Sequence, residues 1–226
     1  MGSDPLFDQC SIDLIRQKLL SWGSQHFRSL PWRRNIPLWK GLLVEVMLAR
    51  TRAAQVVPSF EKLDKRFRTA VDLSRATESE FESIMQPLGL RWRVSLLLAL
   101  AHEIGRRSGR MPRTARELRE LPGVGPYVAS AALSFHGGVR ASIVDSNTVR
   151  IVSRLAGKPF DGETRRKKWM REALEALTPQ HGFKEFNYAM LDLADAVCKP
   201  SVPQCQSCPL QALCVTGSSA LRSSGI

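Results

Sequence analysis

Apolar residues recur at helical spacing along most of the chain. From Phe7 to Trp22 this spacing predicts one helix, with apolar residues at Leu14, Ile15, Leu19 and Leu20. The segment from Pro37 to Ala49 is nearly all apolar, which predicts a helix buried on every side. Val94 to Ile104 is a further apolar helix, and another ends near Leu177. No segment reads as a strand and no repeat is present, so we expect an all-α fold.

A glycine-rich turn stands between two of these helices. The segment 114–120 is polar and favours a helix, and Leu-Pro-Gly-Val-Gly-Pro-Tyr follows at residues 121–127. Gly123 and Gly125 permit a positive φ and a close backbone approach, and Pro126 suits the first position of the next helix. N–H groups at a helix start attract phosphate, and we expect such groups at Val124, Gly125 and Tyr127. The turn alone is equally consistent with a plain corner between helices.

Four cysteines are grouped near the end of the chain. They follow the spacing C-x6-C-x2-C-x5-C, at Cys198, Cys205, Cys208 and Cys214. Four close thiolates suit a [4Fe–4S] cluster or a tetrahedral zinc ion. Two disulfides are the alternative, which we disfavour because nothing else in the chain is typical of a secreted protein. Cys10 stands apart as a structural or free thiol.

Two carboxylate residues, Glu45 and Asp145, have distinctive neighbours in the sequence. Glu45 lies inside the apolar segment, where a helix would surround it with apolar side chains. Burial favours the protonated form of a carboxyl group, which can then act as a general acid; a buried glutamate that only pairs with the backbone or an arginine is the alternative. Asp145 precedes Ser-Asn-Thr and a helical run, and by itself this position is that of an ordinary N-cap.

The overall charge narrows the class of partner. The 226 residues carry a net charge of +12, which favours a polyanion such as nucleic acid, although an inert basic surface has the same composition. No run of eighteen apolar residues is present, so we expect no membrane span. The first residues lack the basic and apolar regions of a secretory signal, and we expect a cytoplasmic, nucleoid-associated monomer.

Together, the Leu-Pro-Gly-Val-Gly hairpin, the aspartate about twenty residues later and the cysteine spacing resemble the helix-hairpin-helix (HhH-GPD) DNA glycosylases of the iron–sulfur branch. That branch contains endonuclease III, the adenine glycosylase MutY and the archaeal thymine mismatch glycosylase. The similarity runs from about Leu30 to Cys214. It implies double-stranded DNA with a mismatched or damaged base as the partner and a [4Fe–4S] cluster on the four cysteines as the cofactor.

The resemblance implies two helical lobes with an endonuclease III-like fold. Residues 30–155 would form a six-helix barrel lobe that contains the helix-hairpin-helix at 114–137. Residues 1–29 and 156–226 would form the other lobe, with the cluster loop at 198–214. In the family the reactive base enters between the two lobes.

The resemblance also assigns roles to single residues. Glu45 matches the catalytic glutamate of MutY, and Asp145 matches the catalytic aspartate of the superfamily, which stabilises a cationic sugar or guides water to it. Bifunctional members carry a nucleophilic lysine where this chain has Tyr127, so we expect a monofunctional glycosylase with at most weak strand cleavage. Asn147 matches an asparagine that would orient the DNA backbone or the water.

Further positions resemble the DNA contacts of the family. Arg50 stands where a side chain intercalates, and Leu90 stands where an apolar or aromatic wedge enters the duplex; a surface arginine and a core-filling leucine are the alternatives. Trp32 and Arg33 resemble a wall of the base pocket, although a tryptophan at such a place is usually core.

Three departures from MutY bear on which base is removed. The chain ends at Ile226, so we expect the C-terminal domain that inspects oxidised guanine to be absent. Residues 49–52 read Ala-Arg-Thr-Arg, closer to the thymine mismatch enzyme, and Tyr188 replaces the residue that reads adenine. We therefore expect removal of thymine or uracil opposite guanine. Adenine opposite guanine or 8-oxoguanine is the alternative, and a non-catalytic DNA-binding module is the second alternative.

Overall fold

The computed structural model describes residues 5–89 and 91–218. All regular secondary structure in these two stretches is helical, which confirms the predicted all-α class. No helix there is long and apolar enough to cross a membrane. The α-helices are α1 (Gln9–Gln25), α2 (Leu38–Leu48), α3 (Ala53–Arg66), α4 (Glu78–Met85), α5 (Val94–Arg106), α6 (Ala115–Leu118), α7 (Pro126–Ala132), α8 (Ser146–Leu155), α9 (Lys168–Leu177) and α10 (Phe183–Ala196).

The strongest sequence patterns correspond directly to these helices. α1 begins behind Asp8, whose side chain caps it, and continues three residues beyond the predicted end to Gln25. α2 is buried at every residue from Leu38 to Met47, as its apolar composition predicts. α7 begins at Pro126, where the missing N–H of proline costs no hydrogen bond.

One of two compact units, here called the middle unit, comprises Ser29–Val139. Its core forms around α2, which packs against α3, α5, α7 and the π-helical turn Leu133–Gly137. This central position explains why α2 has no polar face. The largest fully buried side chains of the unit include Phe60, Phe67, Phe81, Leu42, Leu43 and Met47.

The terminal unit comprises Met1–Arg28 and Arg140–Ile226. Within it, α1 and α8 each pack against α9 and α10. The α1–α10 contact is close because Gly23 carries no side chain: a Cβ atom there would lie 2.6 Å from Cβ of Ala189. A larger residue at either position would separate the two helices.

The second boundary between the units differs from the expected one. Residues 140–155, which the resemblance assigns to the six-helix lobe, belong to the terminal unit. The reason lies in α8, whose apolar residues Val149, Val152 and Leu155 enter the core of that unit. Asp145 therefore belongs to the terminal unit, whereas Glu45 belongs to the middle unit.

Candidate active site

The carboxyl group of Glu45 lies in the core of the middle unit and meets two polar side chains. Glu45 is only 2% exposed, so its hydrogen-bond partners must come from the protein. The hydroxyl of Tyr127 donates to Oε2 of Glu45 at 3.4 Å. Nε2 of His136 lies 3.8 Å from Oε1, which is within ion-pair range but longer than a hydrogen bond. The two oxygens of one buried carboxyl group thus face different partners.

Two arginines, Arg93 and Arg50, lie next to the C-terminal end of α2. Arg93 is buried, and its Nη1 donates to the backbone oxygens of Val46 at 3.2 Å and Met47 at 3.4 Å. These carbonyls belong to the last turn of α2, where backbone oxygens have no N–H group within the helix to accept from. Burial, and then the positive charge of Arg50, lowers the pKa of Arg93. Arg50 itself is exposed and has a φ of 60°, a left-handed conformation that non-glycine residues adopt rarely.

The hairpin before α7 has two glycines with different surroundings. Gly123 has a φ of 73°, and a Cβ atom there would lie 2.9 Å from Leu96, so both backbone and packing require glycine. A Cβ atom on Gly125 would meet open space. The N–H of Val124 donates to the carbonyl of Leu121 at 3.2 Å. The N–H of Val124, one of the three that we expect to bind phosphate, is therefore already hydrogen-bonded within the turn.

Asp145 caps α8 and is held on both carboxylate oxygens. Oδ1 accepts from the backbone N–H groups of Asn147 at 2.9 Å and Thr148 at 2.8 Å. Oδ2 accepts from the side-chain amide of Asn147 at 2.8 Å. The N-cap role favoured by the residues alone is confirmed. Donors to both oxygens stabilise the negative charge and fix the orientation of the carboxylate.

Arg150 links this cap to the cysteine segment. Its Nη2 donates to Oδ1 of Asn147 at 3.2 Å, and its Nε donates to the backbone oxygen of Cys198 at 2.7 Å. Burial lowers the pKa of Arg150, and the charges of Cys198 and Asp145 act in the opposite direction. A chain of contacts therefore runs within the terminal unit from Asp145 through Asn147 and Arg150 to Cys198.

The four clustered cysteines carry free thiols that influence one another. Burial, followed by the neighbouring thiols, raises the pKa of Cys208 to about 11. Nη1 of Arg154 donates to Sγ of Cys198, and the N–H of Gly217 donates to Sγ of Cys214, both at 3.3 Å. Four neighbouring thiols with donors directed at sulfur fit the ligand set of an iron–sulfur cluster or a zinc ion. The described side chains are not already arranged as a metal-ion site.

The expected pocket residues lie in separate cores. Trp32 and Arg33 form part of the 3₁₀ turn Pro31–Arg33 and are buried, and the Trp32 ring packs edge-to-face on Phe60 with centroids 5.6 Å apart. Tyr188 is buried in the terminal unit with its ring edge-to-face against Phe27. Leu90 lies outside the described residues. Their roles in base recognition stay predictions.

Two site residues escape the sequence patterns. His136 is hidden in an alanine-rich helical run, and no spacing rule connects it to Glu45. Arg150 looks like one of many arginines in a basic chain. Its place on α8 one turn after Asn147 is the only signal that could have found it.

Comparison with known proteins establishes the family. Residues 43–180 match the model of the HhH-GPD superfamily base excision DNA repair proteins. The match covers more than half of the chain, and the chain therefore belongs to this family. The resemblance stated above is thereby confirmed.

Individual relatives cover nearly the whole chain. The chain is 34% identical over 214 residues to a thymine-DNA glycosylase from Aeropyrum pernix, which covers 92% of this chain and 96% of that protein. It is 33% identical to a thymine/uracil-DNA glycosylase from Pyrobaculum aerophilum, over 87% of this chain and 88% of that protein. A human adenine DNA glycosylase is 31% identical over 92% of this chain, which spans only 40% of that longer protein.

A solved structure supports the same fold. A thermostable thymine-DNA glycosylase superimposes with a TM-score of 0.85 at 27% identity, covering 93% of this chain and 98% of that one. The endonuclease III-like helical fold expected from the resemblance is therefore present.

Proposed function

We propose that the chain is a monomeric DNA N-glycosylase that removes thymine or uracil opposite guanine by hydrolysis, without efficient strand cleavage. The observation that carries the proposal is the buried carboxyl group of Glu45, hydrogen-bonded by Tyr127 at 3.4 Å. This contact supports Glu45 as the acid that protonates a departing base, and Tyr127 stands in the sequence where a strand-cleaving member of the family has lysine. The relatives from Aeropyrum pernix and Pyrobaculum aerophilum are named thymine-DNA glycosylase and thymine/uracil-DNA glycosylase, which supports the choice of base.

Glu45 acts as the general acid. When the bond between C1′ and the base nitrogen breaks, its electron pair leaves with the base. A proton from Glu45 neutralises the departing base and lowers the barrier to cleavage. Glu45 lies on a helix that is buried from Leu38 to Met47, so bulk water has little access to its carboxyl group.

Asp145 acts on the sugar that remains. Loss of the base leaves positive charge at C1′, which an ionised carboxylate stabilises electrostatically. The donors from Asn147 and Thr148 keep the carboxylate in one orientation. Water then adds to C1′ and releases one proton, which leaves an abasic sugar in an intact strand.

Tyr127 limits the reaction to hydrolysis. A lysine amine can attack C1′ and form a Schiff base that leads to strand cleavage. A phenol cannot form this imine, and the hydroxyl of Tyr127 is directed at Glu45. The product is therefore an abasic site that requires alkali or another enzyme for strand cleavage.

DNA contacts come from the basic surface and the hairpin. Arg50 is exposed beside the end of α2, in the position proposed for an intercalating side chain. Gly125 leaves open space at the start of α7, so a phosphate can approach the backbone there. Leu90 is proposed as the second wedge.

The cysteine segment holds a [4Fe–4S] cluster through Cys198, Cys205, Cys208 and Cys214. When bound, the cluster supplies structural cross-links and local charge, and base removal proceeds on the carboxylates alone. Arg154 and Gly217 donate to two of the sulfurs, and such donors orient the sulfur ligands of a metal group. Iron and sulfide analysis of anaerobically purified protein tests this assignment, and stoichiometric zinc without iron would replace it.

Removal of adenine is the second candidate function. It is favoured by the human adenine DNA glycosylase that matches 92% of this chain. Glu45 does not separate the two reactions, because a general acid can protonate adenine or assist a pyrimidine.

The test is a panel of labelled duplexes that contain T·G, U·G, A·G or A·8-oxoguanine. Half of each reaction receives alkali. We expect breaks in the T and U strands only after alkali. Breaks in the A strands would establish the adenine activity instead, and breaks without alkali would exclude the monofunctional mechanism.

Two variants separate an enzyme from a non-catalytic binder. Glu45→Gln and Asp145→Asn should each retain affinity for mismatched DNA and lose excision by several orders of magnitude. Asp13→Asn, an exposed carboxylate on α1, serves as the matched control. Wild-type protein that binds every duplex and excises nothing would support the DNA-binding module.

A further inference from the structure

His136 is a buried imidazole beside the acid of the middle unit. Its side chain is 1% exposed, and Nε2 lies 3.8 Å from Oε1 of Glu45. Neither ring nitrogen has a hydrogen-bond partner among the described residues. A buried polar ring normally finds such a partner, so the nearby carboxyl group is the feature that accounts for its position.

Two local features bring the ring to this position. His136 lies in the π-helical turn Leu133–Gly137, which continues α7. Such turns are rare and occur often at functional sites. The ring also lies directly over Gly41, one turn before Glu45 on α2: a Cβ atom on Gly41 would be 2.3 Å from Cδ2 of His136. The turn and the glycine together create the space that the imidazole fills.

We propose that His136 is a positioning residue that holds one proton jointly with Glu45, and that this proton leaves with the excised base. The proposal rests on the proposed role of Glu45 and extends it by naming the source of the proton. Tyr127 donates to the other oxygen of Glu45, so each carboxyl oxygen faces one of the two side chains.

The proton count is balanced in this scheme. Before cleavage the pair carries one proton, either as neutral carboxyl and neutral imidazole or as carboxylate and imidazolium. The base departs with the electron pair of the broken glycosidic bond and takes this proton. The pair is left as carboxylate and neutral imidazole, and solvent returns one proton before the next turnover.

Other charged groups near α2 are engaged elsewhere. On α2 and α3, Lys40 pairs with Asp64 at 2.5 Å. Arg93, before α5, donates to the carbonyls at the end of α2. On α5, Nε2 of His102 lies 2.8 Å from the backbone oxygen of Ala76.

At the end of α5, Glu103 pairs with Arg106 and with Arg107, the residue that follows the helix. On α7, Tyr127 is the titratable group that contacts Glu45.

The experiment measures single-turnover excision with saturating wild-type protein from acid to alkaline pH. Excision falls on the alkaline side when the pair loses its shared proton. His136→Gln removes one of the two proton-holding groups and leaves Glu45 to hold the proton alone. We expect the alkaline limb to move toward lower pH by about one unit, which lowers the alkaline rate about tenfold while the acid-side rate stays near wild type.

His102→Gln provides the matched control, because it removes a partly buried histidine of the same unit that does not contact Glu45. Its pH profile should match wild type. Gly41→Ala should reproduce the His136→Gln shift by displacing the ring. A uniform loss of rate at all pH values in His136→Gln would indicate only a structural role and would overturn the proposal.

The proposed roles of Glu45 and of His136 can be rejected separately. Wild-type excision by Glu45→Gln would reject the acid role of Glu45 itself. Loss of excision in Glu45→Gln together with a wild-type pH profile in His136→Gln would reject only the role of His136. In the double variant, His136→Gln should add no loss beyond that of Glu45→Gln, because it acts through that residue.

A second measurement covers the case in which His136→Gln does not fold. The chain has four histidines, so ring ¹⁵N signals of the intact protein can be assigned and followed against pH. We expect Glu45→Gln to change the titration of His136 and to leave that of His102 unchanged. A His136 titration that is the same with Gln at position 45 would overturn the proposal.

Discussion

The side-chain amide of Asn147 donates a hydrogen bond of 2.8 Å to Oδ2 of Asp145. Its own oxygen accepts from Arg150 at 3.2 Å, so Asn147 connects the carboxylate to a buried cation. Asn147 could not be replaced by a residue of the same size that lacks the amide, because its side chain donates to Asp145 and accepts from Arg150.

Asn147→Ala should therefore slow excision without abolishing DNA binding. Loss of a charge-assisted hydrogen bond costs about 1.5–3 kcal/mol, which corresponds to a roughly ten- to hundredfold lower single-turnover rate. Asn35→Ala removes an exposed asparagine and should leave the rate unchanged. Equal rates for wild type and Asn147→Ala would show that the amide has no part in orienting Asp145.

Tyr127→Lys should create strand-cleavage activity. The variant places an amine beside Glu45, where it can form a Schiff base with C1′ of the abasic product. Borohydride should then trap a covalent protein–DNA complex. Tyr127→Phe also removes the hydroxyl contact with Glu45 but offers no amine, so trapping in both variants would contradict this mechanism.

The two hairpin glycines should respond differently to alanine. Gly123→Ala forces a side chain into a φ of 73° and against Leu96, and should lower the free energy of unfolding by about 1–3 kcal/mol. Gly125→Ala meets open space and should leave stability nearly unchanged while it weakens DNA binding. Urea unfolding and a binding titration on both variants separate the two effects. Undiminished binding by Gly125→Ala would argue against a backbone approach of phosphate there.

The stability of the middle unit should depend on the ion pair of Lys40 and Asp64. Burial alone would raise the pKa of Asp64, but the hydrogen bonds and charges of Lys40 and Arg34 outweigh it and lower the pKa below the ordinary aspartate value. Asp64→Asn leaves the buried amine of Lys40 without its carboxylate and should cost about 2 kcal/mol at neutral pH.

The pH dependence of this loss follows from the lowered pKa. A carboxylate whose pKa is lower in the folded protein stabilises the fold fully above its unfolded value. The advantage of wild type over Asp64→Asn should therefore disappear as pH falls through the lowered folded pKa. Asp13→Asn, which breaks an exposed pair on α1, should change stability by less than about 1 kcal/mol at any pH. Denaturant unfolding at neutral and strongly acid pH gives both comparisons.

Arg154→Ala should weaken retention of the proposed cluster. The guanidinium donates to Sγ of Cys198 at 3.3 Å and to the backbone oxygens of Lys199 and Pro200 at 2.7 and 2.9 Å. Loss of the guanidinium removes a positively charged donor to Sγ of Cys198 and two hydrogen bonds that hold the backbone of Lys199 and Pro200. We expect less iron per chain and faster loss of visible absorbance in the presence of a chelator. Arg171→Ala, an exposed arginine of the same unit, is the control.

The sequence was most informative where one segment determines its own environment. An apolar run of helix length predicts a helix in the protein core, and this prediction covers the burial of both α2 and Glu45. Asp145 before Ser-Asn-Thr defines its own cap. The cysteine spacing and the hairpin together indicate the family from the sequence alone.

Contacts between distant segments could not be obtained in this way. The approach of His136 to Glu45 depends on a π-helical turn, and no residue pattern in Leu133–Gly137 distinguishes it from an α-helical turn. The assignment of residues 140–155 to the terminal unit depends on which core receives the apolar face of α8. Periodicity shows that such a face exists but not which surface it contacts.

The π-helical turn also limits how this chain can change in length. A π-helical turn contains one residue more than the α-helical turn that it replaces. Removal of Ser134 or Phe135 would restore ordinary α-helical winding ahead of His136 and change the direction of its side chain about the helix axis. The imidazole would then leave its place over Gly41. Related chains that keep this histidine should therefore share the same number of residues between the hairpin and the end of the turn, whatever their composition there.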